Sequence, residues 1–232
     1  MNRRLLLTSL RERLYETLKE DILLNKYKPG AELHIDKLAQ EFGVSTTPIR
    51  EALVRLEGDG LVLSIPNRGV RVTSISLEDV KNIYEVRRLL EPYAVKITAR
   101  HCGELEIKSL YQKLLTLTEG SVDLATYINA DLELHELMSK HLGNTLVKDI
   151  LDQVDQHSIR VRYLVESNAG GLRPEVVSLV TREHLAILDA LKKQDEEEAA
   201  ATTLQHLLNA EARTLQTLEE VMVIQDEGLE HS

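Results

Sequence analysis

Apolar residues at Leu7, Leu10, Leu14, Leu18 and Ile22 recur every three or four positions, the period of an amphipathic helix, and Lys28-Pro29-Gly30 ends it. Ile35, Leu38, Ala39 and Phe42 predict a second, short helix closed by Gly43-Val44-Ser45. A third helix is expected from near Thr47-Pro48, with Ser45 or Thr47 as N-cap; Pro48 is tolerated because the first turn has no amide bond to lose. Its buried stripe is Ile49, Ala52, Leu53 and Leu56, which turns Thr47, Arg50, Glu51 and Val54 outward. After Gly58-Asp59-Gly60 the texture changes. Leu61-Val62-Leu63 and Val70-Arg71-Val72, separated by the turn-rich stretch Ser64 to Gly69, read as a β-hairpin.

From Leu77 onward the pattern is helical almost to the end. It breaks at His101-Cys102-Gly103, Glu119-Gly120-Ser121, Gly143-Asn144, Asn168 to Gly171 and around Gln194-Asp195, so six helices are implied. Strand chemistry gives way to a capped helix start near Ser74 to Ser76, which sets a boundary between residues 1–75 and 76–232. The fold class expected is mainly α: an N-terminal winged helix-turn-helix followed by an all-α, six-helix antiparallel bundle.

Helix, helix, tight turn, helix and hairpin is the order of a winged helix-turn-helix, whose third helix enters the major groove of a DNA duplex. In that arrangement Arg50 can donate two parallel bonds to guanine, a pairing that discriminates by about 1–3 kcal/mol. The hydroxyls of Ser45, Thr46 and Thr47 suit phosphate at the helix N-terminus, and Arg55, Arg68 and Arg71 lie farther out. The hairpin tip Asn67-Arg68-Gly69 pairs a cation with a residue that lets backbone approach closely. An ordinary small domain whose arginines are a solvated face has the same periods and turns, so this pattern alone leaves both readings open.

In the second part, helical phase supplies the signal. The stripe Leu124, Ile128, Asp131, His135, Met138 and Leu142 puts Asp131 and His135 on an apolar face one turn apart. Val177, Val180, His184, Ile187, Leu188 and Leu191 form a second such stripe, and Ala199, Thr203, His206, Leu207 and Ala210 a third. Burying an imidazole or carboxylate without a partner costs several kcal/mol, so Asp131, His135, His184 and His206 need one another or a shared ion. Three imidazoles and a carboxylate suit zinc, nickel, manganese or iron(II), with zinc the leading expectation. Separate satisfaction of each histidine by core carbonyls is the competing explanation. Arg87 lies on the stripe Tyr84, Arg87, Glu91, Ala94 and Thr98; it is a fork for a carboxylate ligand or an intrahelical partner of Glu91. Arg162 and Arg160 are candidates of the same kind. His34, His101, His141, His157 and His231 have no phase argument and read as surface or structural. The run Asp195 to Glu198 opens the last helix, where acidic groups favour the dipole.

Composition bounds these readings. With 232 residues, 43% hydrophobic and 28% charged, the chain is long enough for a real core and is neither disordered nor fibrous. Its single cysteine, Cys102, forms no intrachain bridge, and no stretch approaches a signal or membrane segment, so a cytoplasmic location and no membrane partner are expected. Taken alone, the net charge of −10 argues against nucleic acid. Yet residues 1–75 hold 12 Lys and Arg against 10 Asp and Glu, net +2, leaving 16 against 28, net −12, for the remainder. Only 3% of residues are aromatic, which disfavours stacking on single strands and points to a duplex.

The residues Pro29-Gly30, Leu38-Ala39, Phe42-Gly43-Val44-Ser45, Thr47-Pro48-Ile49-Arg50-Glu51-Ala52-Leu53, Gly60-Leu61-Val62 and Pro66-Asn67-Arg68-Gly69-Val70 closely resemble the signature of GntR-family transcription regulators. By that resemblance Arg50 is the arginine the family uses on DNA and Gly69 the wing-tip glycine. Thr46 departs from the pattern, standing where the family usually has an arginine. Asp131 and His135, Glu183-His184, and His206-Leu207 resemble the metal positions of the FCD ligand-binding domain of the FadR subfamily, and six helices resemble its VanR-type branch. Arg87 corresponds to an inward arginine near the effector. The resemblance implies a homodimeric regulator on a pseudo-palindromic operator, with operator affinity set by a small carboxylate at the metal site. A metal-dependent hydrolase or other small-molecule enzyme using the same four residues is the alternative, although no general base stands apart from the ligand set.

Overall fold

The computed structural model describes residues 3–66, 69–118, 122–168 and 171–229, without side chains at 3–9, 167–168 and 221–229. The chain divides into two compact units, Met1–Ile75 and Ser76–Ser232. Among the described residues no helix is long and apolar enough to cross a membrane.

The first unit holds α1 (Arg3–Leu23), β1 (Glu32–Leu33), α2 (Ile35–Glu41), α3 (Thr46–Gly58), β2 (Val62–Ile65) and β3 (Gly69–Val72). Leu14, Leu18 and Ile22 of α1 bury against Ile49, Leu53 and Leu56 of α3, with Leu38 and the strand residues Val62, Val70 and Val72 closing the core. Those contacts follow the sequence stripes and bury the apolar face that makes each short helix stable. Gly43 takes φ +64° in the tight turn between α2 and α3, a left-handed conformation that costs most side chains energy. The hairpin is one strand richer than its sequence pattern suggests. β3 pairs antiparallel with β2 and also with β1, in the order β1-β3-β2, with Glu32 opposite Arg71. A two-residue strand has no alternation to read, which is why the sequence conceals it.

The second unit consists of α4 (Leu77–His101), α5 (Glu104–Thr116), α6 (Leu124–Ser139), α7 (Thr145–Asn168), α8 (Pro174–Lys192) and α9 (Glu196–Leu229). α4 begins at a capping box in which Ser76 and Asp79 satisfy each other's backbone amides. α9 runs antiparallel to α4, with Lys96 on Glu197 and Arg100 on Glu196 near one end, and Arg88 on Glu211 and Tyr84 on Thr214 toward the other. α6 stops at Ser139, short of Leu142, yet Leu142 stays buried in the turn that follows. The polar members of the α4 stripe, Arg87, Glu91 and Thr98, are buried alongside Tyr84 and Ala94, so α4 turns both charged groups toward the middle of the bundle.

Candidate functional site

α3 presents its polar face to solvent. Ser45 is the N-cap but its hydroxyl makes no capping bond, and Ser45, Thr47, Arg50 and Val54 are exposed, with Thr46 half-buried. The neighbouring cations are committed. Arg55 forms two hydrogen bonds to Glu12, at 2.7 and 3.2 Å, and its guanidinium lies 3.7 Å from the centre of the Tyr15 ring. Arg11 pairs with Glu51 at 2.7 Å, and Arg71 with Glu32 across the sheet at 2.7 Å. Among the described residues no carboxylate pairs with Arg50. Gly69 opens β3 at φ +91°, where a side chain would be strained. Arg68 lies outside the described residues.

The bundle interior brings together four polar groups from three helices. Asp131 and His135 come from α6, His184 from α8 and His206 from α9, and each is at most 4% exposed. The imidazole centres of His184 and His206 are 4.6 Å apart, those of His135 and His206 5.9 Å, and those of His135 and His184 6.4 Å. One ligand atom each from Asp131, His135 and His206 lies within 4.8 Å of the other two. His184 joins through Asp131, its Nε2 3.3 Å from Oδ1.

Carboxylates behind the ring fix two of the imidazoles. Glu91 Oε2 is 2.9 Å from His135 Nδ1, and Glu183 Oε2 is 2.8 Å from His206 Nδ1. Each carboxylate accepts a hydrogen bond from Nδ1–H and leaves Nε2 as the lone-pair nitrogen, the arrangement that metal-ligating histidines ordinarily show. Glu183 also accepts two bonds from Arg213 and one from Asn209, all at 2.8 Å. Burial alone would raise its carboxyl, but the bonds from His206, Arg213 and Asn209 outweigh that and hold it down at about 2. Burial pushes His206 down to about 4 despite Glu183, and pushes His184 well below its ordinary value, helped by the neighbouring His206 and His135. Both rings are therefore neutral at pH 7 and able to coordinate.

Three inward atoms test whether an ion fits. Asp131 Oδ1, His184 Nε2 and His206 Nε2 are buried and make no hydrogen bond. Each such atom costs roughly 1–3 kcal/mol, so three in one spot call for a shared partner, and their nitrogen and oxygen chemistry suits a divalent cation. His135 is differently placed: its Nε2 is 3.0 Å from Arg87 Nη2, so the guanidinium and an ion compete for that nitrogen.

A narrow cavity of about 50 Å³ opens beside this cluster, lined by Asp131, His206, Arg162, Arg213, Tyr84 and Tyr127 among others. That is room for roughly three to five waters, the scale of a small organic acid. Arg162 pairs with Asp131 and borders the cavity. Arg87 is fully buried, held by Glu91 at 2.5 Å, with Nη1 buried and lacking an acceptor; it stands behind the histidines and does not line the cavity. The sequence stripes reach the four inward groups but not the carboxylates behind them. Glu91 reads there only as a partner for Arg87, and Glu183 only as the neighbour of His184. A signal existed for Glu183: His206, Asn209 and Arg213 sit three and four residues apart on one face of α9, three donors that need an acceptor.

Comparison with known proteins identifies the family. Residues 10–72 match the model for bacterial regulatory proteins of the gntR family, and residues 82–209 match the FCD domain. The chain is 33% identical to the uncharacterized HTH-type transcriptional regulator YdhC of Bacillus subtilis over 83% of its own length and 85% of that protein. In structure it is similar to McbR/YncC of Escherichia coli, with a TM-score of 0.77, 21% identity, and coverage of 90% of this chain and 98% of that one. It is also similar to the Zn2+-bound FCD domain of the regulator TM0439, with a TM-score of 0.50, 19% identity, and coverage of 62% and 97%. The family and its named relatives are transcriptional regulators and not enzymes, which removes the hydrolase alternative. A winged helix-turn-helix followed by a helical FCD domain makes this chain a member of the GntR family of DNA-binding transcriptional regulators, of the FCD type.

Proposed function

We propose that this regulator binds its operator as a homodimer and that a small carboxylate, taken up beside a divalent metal in the FCD domain, controls that binding. The three orphaned atoms Asp131 Oδ1, His184 Nε2 and His206 Nε2, in a cluster beside a cavity lined by Asp131, His206, Arg162 and Arg213, carry the reading. Asp131, His184 and His206 would hold the ion, with His135 once Arg87 yields its Nε2. A bound ion would supply open positions for carboxylate oxygens, and zinc is the metal named for the related FCD domain.

The protein's own groups do the rest. Glu91 and Glu183 hold their imidazoles in the coordinating tautomer. Arg162 and Arg213 give a carboxylate planar, charge-assisted donors inside a site too small for a large ligand. Arg162 already holds Asp131, so an arriving carboxylate competes for the guanidinium and biases how α6 and α7 sit. The ligand regulates only if that bias differs between free and operator-bound protein.

On DNA, Arg50 is the base reader, with Ser45, Thr46, Thr47 and the wing residues Arg68 and Gly69 on the backbone. Arg55 and Arg71 contribute positive potential near the duplex, while their ion pairs tie α1 to α3 and β1 to β3. A dimer supplies two such heads and predicts a pseudo-palindromic operator. Its support is a set of exposed apolar side chains, Leu89 and Tyr93 on α4 and Leu204 and Leu208 on α9, bracketed by the Arg88–Glu211 and Lys96–Glu197 pairs.

The test is zinc content and a thermal-shift screen of small organic acids on the full chain. One zinc per chain is expected at the histidine cluster, so changing His184 or His206 to Ala should lower the zinc content by one equivalent. An acid at 100 times its Kd adds about 2.7 kcal/mol of stability. Full zinc content in both variants overturns the reading.

A further inference from the structure

A second group of metal-ligating side chains lies away from the histidine cluster. Cys102 caps the C-terminus of α4, Glu106 sits in the first turn of α5, and His141 follows the end of α6. Cys102 Sγ is 3.8 Å from Glu106 Oε2, and His141 Nε2 is 4.0 Å from the same oxygen; all three ligand atoms lie within 4.8 Å of one another. Cys102 is 8% exposed, and His141 Nε2 is buried and makes no hydrogen bond.

We propose that Cys102, Glu106 and His141 form a second cation site, selective for a thiophilic, zinc-like divalent ion. Bonds of about 2.0–2.3 Å to one ion put tetrahedral donors roughly 3.3–3.7 Å apart, so the three atoms need to close by only about an ångström or less. The backbone already orients the carboxylate, since Gly103 N donates to Glu106 Oε2 at 3.3 Å. Lys140 pairs with the other oxygen, Oε1, and leaves Oε2 facing the sulfur and the imidazole. Water or the exposed His101, whose ring centre is 6.0 Å from that of His141, completes the shell. One thiolate, one imidazole and one carboxylate favour a borderline-soft ion over magnesium or calcium. On binding, the thiol gives its proton to solvent as the sulfur–metal bond forms. The ion ties together the ends of α4 and α6, the helices that carry Glu91, Asp131 and His135.

Cobalt(II) titration of the chelator-stripped full chain tests this. Cys102 is the chain's sole cysteine and the histidine cluster offers only nitrogen and oxygen, so sulfur-to-cobalt charge-transfer absorption reports this site alone. The band is expected to saturate by two equivalents, one for each centre, to vanish in Cys102→Ser, and to shift to higher cobalt in His141→Gln and Glu106→Gln. Wild-type protein without the band overturns the proposal, as does a band that neither His141→Gln nor Glu106→Gln moves. Visible absorption that survives in Cys102→Ser belongs to the nitrogen–oxygen centre, so failure of one site is read separately from failure of the other.

Discussion

Glu183 offers the sharpest perturbation of the central cluster, because it touches no metal and yet sets the state of a ligand. Changing Glu183→Gln keeps the shape and removes the charge. In the native structure the carboxylate accepts four bonds: one from His206, two from Arg213 and one from Asn209. An amide has a single acceptor oxygen, and its NH2 group would face donors, so about half of these bonds are lost and Arg213 is left without its counter-charge. Each charge-assisted bond is worth roughly 1.5–3 kcal/mol net, and partial exposure at Arg213 lessens the sum, so a loss of about 3 kcal/mol in metal-free stability is expected. With an uncharged, contested amide oxygen in place of the carboxylate, His206 keeps the proton on Nδ1 less firmly, and zinc affinity should fall about 10–100-fold, which is about 1.4–2.7 kcal/mol. Chemical denaturation of stripped protein measures the first effect and calorimetric zinc titration the second. Asn209→Ala removes one neutral donor and should lower zinc affinity much less. Unchanged zinc affinity in Glu183→Gln would refute the idea that this carboxylate prepares His206 for an ion.

Other perturbations separate the remaining roles. Arg50→Ala should cost about 1–3 kcal/mol in operator binding and relax base preference at one position per half-site, measured by anisotropy across operator variants. Arg55→Ala removes the Glu12 pair and the stacking on Tyr15, so it should lower stability by about 1 kcal/mol and change operator affinity less than Arg50→Ala does. Burial raises Asp155 to about 6, with Glu91 and Asp152 adding to the shift. A carboxyl raised above its unfolded value stabilises the fold below about pH 4 and loses that contribution as pH rises to about 6. Discounted for partial exposure, Asp155→Asn should recover on the order of 1–2 kcal/mol at pH 8 and nothing at pH 4, read from paired denaturation curves. Leu89→Asp with Tyr93→Asp should convert a dimer to monomer in sedimentation; an unchanged mass would place the dimer contact elsewhere.

The regular elements were readable because each carries one strong apolar period. Ile49, Ala52, Leu53 and Leu56 are the buried face of α3, and the six helical stretches after Leu77 break where Gly, Asn and the chain's turn residues stand. The inward ring of Asp131, His135, His184 and His206 was legible for the same reason, since phase places polar groups on faces that must bury. Phase does not say which helices meet. Glu91 and Glu183 come from helices other than those of the histidines they hold, and His141 lies in a turn that has no phase, so none of these pairings is visible along the chain. Arg55 shows the reverse: it reads as a free cation in sequence and is a packed partner of Tyr15 and Glu12 in the fold.

The most direct measurement is operator binding by the full chain, followed by fluorescence anisotropy on a duplex selected from random sequence, with zinc and with an acid found by thermal shift. The acid should shift the operator Kd several-fold or more in wild-type protein, and the shift should disappear when zinc is stripped or His206 is changed to Ala. An equal shift in stripped and His206→Ala protein would contradict this, because the acid would then act somewhere other than the histidine cluster.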